Sequence, residues 1–96
     1  MALDKSMTAG TAVRVKSLKW NTAGLFPDPK LVTLPALRLW ESPGQKLAAS
    51  ASMGDTLQVL KPPRKIRGIN LCRVVDSHGV EGEMYWTEMR SNCEMI

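Results

Sequence analysis

Cys72 and His78 stand six positions apart, and His78 is the one histidine of the chain. A thiol within hydrogen-bond reach of an imidazole is the elementary unit of nucleophilic catalysis. The local pattern argues against that use. His78 falls in Asp76-Ser77-His78-Gly79, a turn in which a polar residue is expected anyway. The alternation of the preceding strand turns Cys72 inward, as a small apolar residue. Asp76, Glu81 and Glu83 lie close to His78 in sequence and could attract a cation, but their spacing matches no ligand set. There is no phosphate-binding Gly-rich loop, no dinucleotide fingerprint and no paired-cysteine zinc pattern. The reading is a protein that binds rather than catalyses, with no catalytic residue, metal or cofactor assigned.

Two groups of residues carry binding chemistry. The first is Lys61-Pro62-Pro63-Arg64-Lys65-Ile66-Arg67-Gly68, read as a stiff loop that presents Lys61, Arg64, Lys65 and Arg67. Four cations on a proline-limited backbone suit an acidic protein surface or a row of phosphates. Arg14, Lys16 and Lys19 form a second basic row that could extend the first. The other group is aromatic. Trp40 falls on the face opposite Leu37 and Leu39, so it is expected to be exposed. Tyr85 faces out as well, near Trp40, and the two make a candidate peptide-binding surface. The expected partner is therefore a protein or peptide held by Trp40, Tyr85 and the loop around Arg64. The alternative is a nucleic acid held on the basic face of Arg14, Lys16 and Lys19.

These side chains need a scaffold. Thr11 to Trp20 alternates, with Val13 and Val15 inward, Arg14, Lys16 and Lys19 outward, and Trp20 placed to cap a barrel. Asn21 to Lys30 is a loop that Leu25 and Phe26 pin to the core. Leu31 to Trp40 reads as strand broken by Pro35, and Pro43-Gly44 suits a type II turn. Gln45 to Met53 reads as a further short strand, with a single helical turn as the alternative because alanine favours helix. From Gly54 onward the chain reads as a meander: Thr56 to Leu60, Ile69 to Val75, and Val80 to Trp86, where Gly82 suggests a bulge or a tight bend. Thr87-Glu88-Met89 is short enough for one 3₁₀ turn. The expected core is Val13, Val15, Leu37, Leu39, Leu57, Val59, Cys72, Val74, Met84 and Trp86.

Ninety-six residues with 44% apolar content make one small globular domain. Residues 1–10 read as a flexible tail, 11–90 as the domain and 91–96 as a second tail. No apolar run is long enough to span a membrane, and no export signal stands at the start, so a cytoplasmic protein is expected. Cys72 and Cys93 are then free thiols, the first buried and the second accessible in its tail. Residues 1–75 carry 12 Lys and Arg against 4 Asp and Glu, whereas residues 76–96 carry 1 against 5. Such asymmetry marks either a basic face for an anionic partner or two halves that neutralise each other.

Three pieces, taken in order, resemble the bacterial SH3-like domains. They are Leu37-Arg38-Leu39-Trp40-Glu41-Ser42-Pro43-Gly44, Gly54-Asp55-Thr56-Leu57-Gln58-Val59-Leu60, and Val74-Val75-Asp76-Ser77-His78-Gly79-Val80-Glu81-Gly82. The resemblance covers about residues 32–89, with 11–31 as an extension. It implies an all-β, small SH3-like barrel that acts as an interaction module. The chain departs from the family at two positions that commonly hold tryptophan, where Leu71 and Glu83 stand.

Overall fold

The computed structural model describes residues 3, 4, 6–21, 31–33 and 35–96. Its elements in chain order are β1 (Ala12–Val15), β2 (Lys19–Asn21), β3 (Leu31–Thr33), β4 (Leu37–Ser42), β5 (Lys46–Ala51), β6 (Thr56–Ile66), β7 (Ile69–Val75), β8 (Glu81–Tyr85), α1 (Trp86–Asn92) and β9 (Cys93–Met95). Seven strands form one antiparallel sheet in the order β5-β4-β8-β7-β6-β1-β9, and β2 pairs with β3 separately. The described residues form mostly antiparallel β-structure with one short helix. No helix among the described residues is long and apolar enough to cross a membrane. Trp20's side chain and the loop carrying Leu25 and Phe26 lie outside the described residues.

Alternation along each strand sends one set of side chains to a single core. All ten expected core residues are buried there, joined by Leu3, Met7, Ala51, Met89 and Cys93. Leu3 and Met7 come from the stretch expected to be a tail, and their burial ties it down. Pro35 separates β3 from β4, as a residue without an N–H should. The Ser42–Gln45 turn closes with a 2.9 Å bond from the Gln45 N–H to the Ser42 carbonyl, with Gly44 at φ +76°.

Three expectations fail for identifiable reasons. The stretch from Lys61 to Ile66 is strand, not loop. Pro62 and Pro63 sit where the β6–β7 register slips between Lys61 and Arg64, so neither owes a ladder bond. The Cys72 thiol sits 3.4 Å from the Lys61 carbonyl and donates to it. Only Arg67 and Gly68 remain as a turn. The second failure concerns the helix. The expected single turn at 87–89 is α1, closed by the Cys93 N–H donating to the Met89 carbonyl. Asn92 at its end is fully buried and ties the helix to residues 16–19. Third, residues 91–96 are not a tail. β9 pairs with β1 through Val13–Met95, Arg14–Glu94 and Val15–Cys93, contacts too distant in sequence for local pattern to reveal.

The last point reverses the expectation for Cys93. Both thiols are free, and both are fully buried. Burial pushes each up to about 12, well above the ordinary thiol value of 9.0. Neither should react with a thiol reagent at neutral pH until the protein unfolds. Rapid labelling of Cys93 in native protein would show that β9 does not stay on β1. The raised values also set a pH dependence. The unfolded chain gives up these protons first. Their contribution to stability is therefore complete below pH 9.0 and is lost as pH rises towards 12.

Candidate binding surface

The sheet face opposite the core is built from β4, β7, β8 and the distal half of β6. Register brings its side chains together: Trp40 opposite Glu83, Arg73 opposite Glu83, Leu71 opposite Tyr85, Arg64 opposite Leu71, and Ile66 opposite Ile69. Side chains on facing partners, and on residues two apart along a strand, share one side of a sheet. Trp40, Tyr85 and Arg64, separated by up to 45 positions in sequence, are therefore neighbours on one surface.

Trp40 is on the expected face but is not exposed. It retains 9% of its accessible surface. The Tyr85 ring meets it edge-on at 6.1 Å, and the Arg38 guanidinium lies 5.4 Å from its ring centroid. Alternation gives the side of the strand on which a residue lies. It does not give what neighbouring strands and long side chains lay over it. Arg38 is held in place by Glu88, whose Oε2 accepts from its Nη2 at 2.9 Å.

Arg64 is not a free cation either. Its Nη2 donates to both carboxylate oxygens of Glu83 at 2.7 Å, and Glu83 is itself buried. The same pairing recurs across the chain. Glu81 takes Arg73, Glu88 takes Arg38 and Glu94 takes Arg14, at 3.2, 2.9 and 3.0 Å. The acidic end of the sequence thus neutralises arginines of the basic part. Lys61, Lys65 and Arg67 are exposed, with no carboxylate partner among the described residues. Lys65 pairs with Asn70 and so projects to the other side of the hairpin from Arg64 and Ile66. Arg14 faces Thr56 at the start of β6, whereas Arg67 follows its far end. Eleven strand residues between them span roughly 35 Å. The two basic groups do not form one patch.

Beside the Arg64–Glu83 pair lies a groove of 370 Å³, lined by Pro43, Ile66, Arg67, Ile69, Leu71 and Glu83. Ile66 and Ile69 leave 38% and 43% of their surface in solvent. Four buried side-chain atoms have no hydrogen-bond partner among the described residues: Arg38 Nε, Trp40 Nε1, Arg64 Nη1 and Glu88 Oε1. Sequence reasoning missed the groove because it ended the strand at Leu60. The available signal was Ile66 and Ile69 flanking Arg67-Gly68, a two-residue hairpin turn, with Leu71 two positions further on. Leu71 and Glu83, the two departures from the SH3-like pattern, both line it. On the catalytic side, His78 is exposed in its turn, while Cys72 is sealed in the core with its thiol held protonated.

No protein-family model, no curated protein and no solved structure matches this chain.

Proposed function

We propose that this chain is a non-enzymatic interaction module, an open SH3-like barrel with an N-terminal extension. It binds a protein or peptide over the outer face of β4, β7, β8 and distal β6. The observation that carries this reading is the exposed apolar groove beside the Arg64–Glu83 pair, on the face where Trp40 and Tyr85 also pack. An apolar groove of this kind takes the side chains of an extended peptide. The barrel assignment draws support from the ordered resemblance of residues 32–89 and from both edge strands feeding one core, Ala51 from β5 and Cys93 from β9. Free buried thiols fit a reducing, cytoplasmic setting. Nucleic acid is the weaker alternative, since Arg14 is tied to Glu94 and the cations are split between two ends of the molecule.

The test is affinity capture from host lysate, with and without nuclease, followed by binding kinetics. A protein partner should survive nuclease treatment. Trp40→Phe shrinks the ring that supports Tyr85 on this face, and should speed dissociation about tenfold with little change in association. Capture abolished by nuclease, or unchanged kinetics in a folded Trp40→Phe variant, would defeat the proposal.

A further inference from the structure

The turn at the lip of the groove carries an anomaly. Arg67 has φ +51° and Gly68 φ +81°, between the paired residues Ile66 and Ile69. Two successive positive φ values make a type I′ hairpin turn, whose first position favours asparagine, aspartate or glycine. Arginine has no short side chain to bond the local backbone there, so it is held against backbone preference. Departures of this kind gather where a side chain is needed for recognition. Arg67 is exposed and lines the groove.

The charge around the groove is one-sided. Glu83 is spent on Arg64, and Glu81 on Arg73. Lys61, opposite Arg73 on the same face, and Arg67 at the lip have no carboxylate partner among the described residues. Four of the six lining residues are apolar: Pro43, Ile66, Ile69 and Leu71. A volume of 370 Å³ falls within the range of about 300–1,000 Å³ usual for ligand pockets.

Resting on the peptide-binding reading above, we propose that this groove takes an acidic segment of a partner protein. An aliphatic side chain sits among Pro43, Ile66, Ile69 and Leu71, and a neighbouring carboxylate pairs with Arg67. A nucleic-acid strand fits less well, because among the described residues the groove's lining holds no aromatic ring for a base and no run of cations for successive phosphates. A second copy of the chain fits less well too, because pairing like with like would bring two basic lips together.

The test begins with random displayed peptides of about ten residues, selected on the wild-type protein. Enriched sequences should place Asp or Glu within two positions of Leu, Ile or Val. The best peptide, synthesised and titrated by fluorescence polarisation, should bind Arg67→Asn about tenfold more weakly than wild type. The same variant should melt no lower than wild type, since asparagine suits the turn better. Ile69→Glu, a change at an exposed site, should weaken binding by at least about tenfold. A lysine-for-acid version of the peptide should bind Arg67→Glu better than it binds wild type.

Selected peptides without acidic residues, unaffected by Arg67→Asn but weakened by Trp40→Phe, would sink the acidic preference and leave peptide binding standing. Failure to enrich any peptide would sink both. Tighter binding of a single-stranded oligonucleotide than of the peptide would move the site to nucleic acid. A lower melting temperature for Arg67→Asn would remove the argument that arginine is retained there for its charge.

Discussion

Asn92→Ala should lower the stability of this protein by about 3 kcal/mol, read as a shift in the urea midpoint. Asn92 has no exposed surface, yet every polar atom of its side chain is satisfied. Its Oδ1 accepts from the Ser17 hydroxyl at 2.9 Å and from the Lys19 N–H at 2.6 Å. Its Nδ2 donates to the Lys19 and Glu88 carbonyls, both at 2.8 Å. Alanine strips these partners at once and leaves a hole the size of an amide in the packed end of α1. Ser17→Ala, which removes one member of the network, should cost about 1 kcal/mol. If the two variants lose the same amount, Asn92 is not the hub that joins the helix to residues 16–19.

Gly82→Val should cost about 3 kcal/mol and loosen the candidate surface with it. Gly82 does not need positive φ. It needs the absence of a side chain, because β4 crosses β8 there at close range. A Cβ at Gly82 would stand 2.8 Å from Leu39 Cβ, 3.1 Å from Leu39 carbonyl carbon and 3.2 Å from Trp40 N. These atoms belong to, or are bonded directly to, the β4 backbone, so no rotamer change relieves the contact. The strand itself must move, and Trp40, paired opposite Glu83, moves with it. Thermal melting and the near-ultraviolet circular dichroism of the tryptophans should both change. A variant with native melting and native aromatic signal would mean that β4 and β8 part without penalty.

Gly82 also illustrates what the sequence made legible. A glycine inside a strand pattern marks a special position, and it was read as a bulge or bend. The β7–β8 register is unbroken through it, from Leu71–Tyr85 to Val75–Glu81, and the reason for glycine is a neighbouring strand. The core was legible for a simple cause. Val13, Leu57, Val59 and Val74 obey a local period of two, and that period survives whatever the strands pair with. The candidate surface was only half legible. Trp40 and Tyr85 were placed together correctly, but the cover over Trp40 comes from Arg38 held by Glu88, fifty positions away. Arg64 read as a free charge because Glu83, nineteen positions on, shows no sequence mark of being its partner. Prolines at 62 and 63 read as a loop because they forbid a regular ladder, and a bulge is the irregular alternative that keeps the strand.

The position of β1 between β6 and β9 has a consequence for biosynthesis. Ala12 to Val15 leave the ribosome before their partners Thr56 to Gln58, and Cys93 to Met95 follow later still. At about 5–20 residues per second, β1 waits for seconds with its backbone unpaired and Val13 and Val15 uncovered. An alternating apolar strand left waiting is a hazard for association with other nascent chains. Arg14 lies between the two valines, Lys16 follows Val15, and Lys19 comes three positions later. Charges placed in and beside such a strand act as gatekeepers against pairing with the wrong neighbour. Arg14 on β1 and the lysines after it would then act before the fold exists, and Glu94 neutralises Arg14 only when β9 pairs with β1.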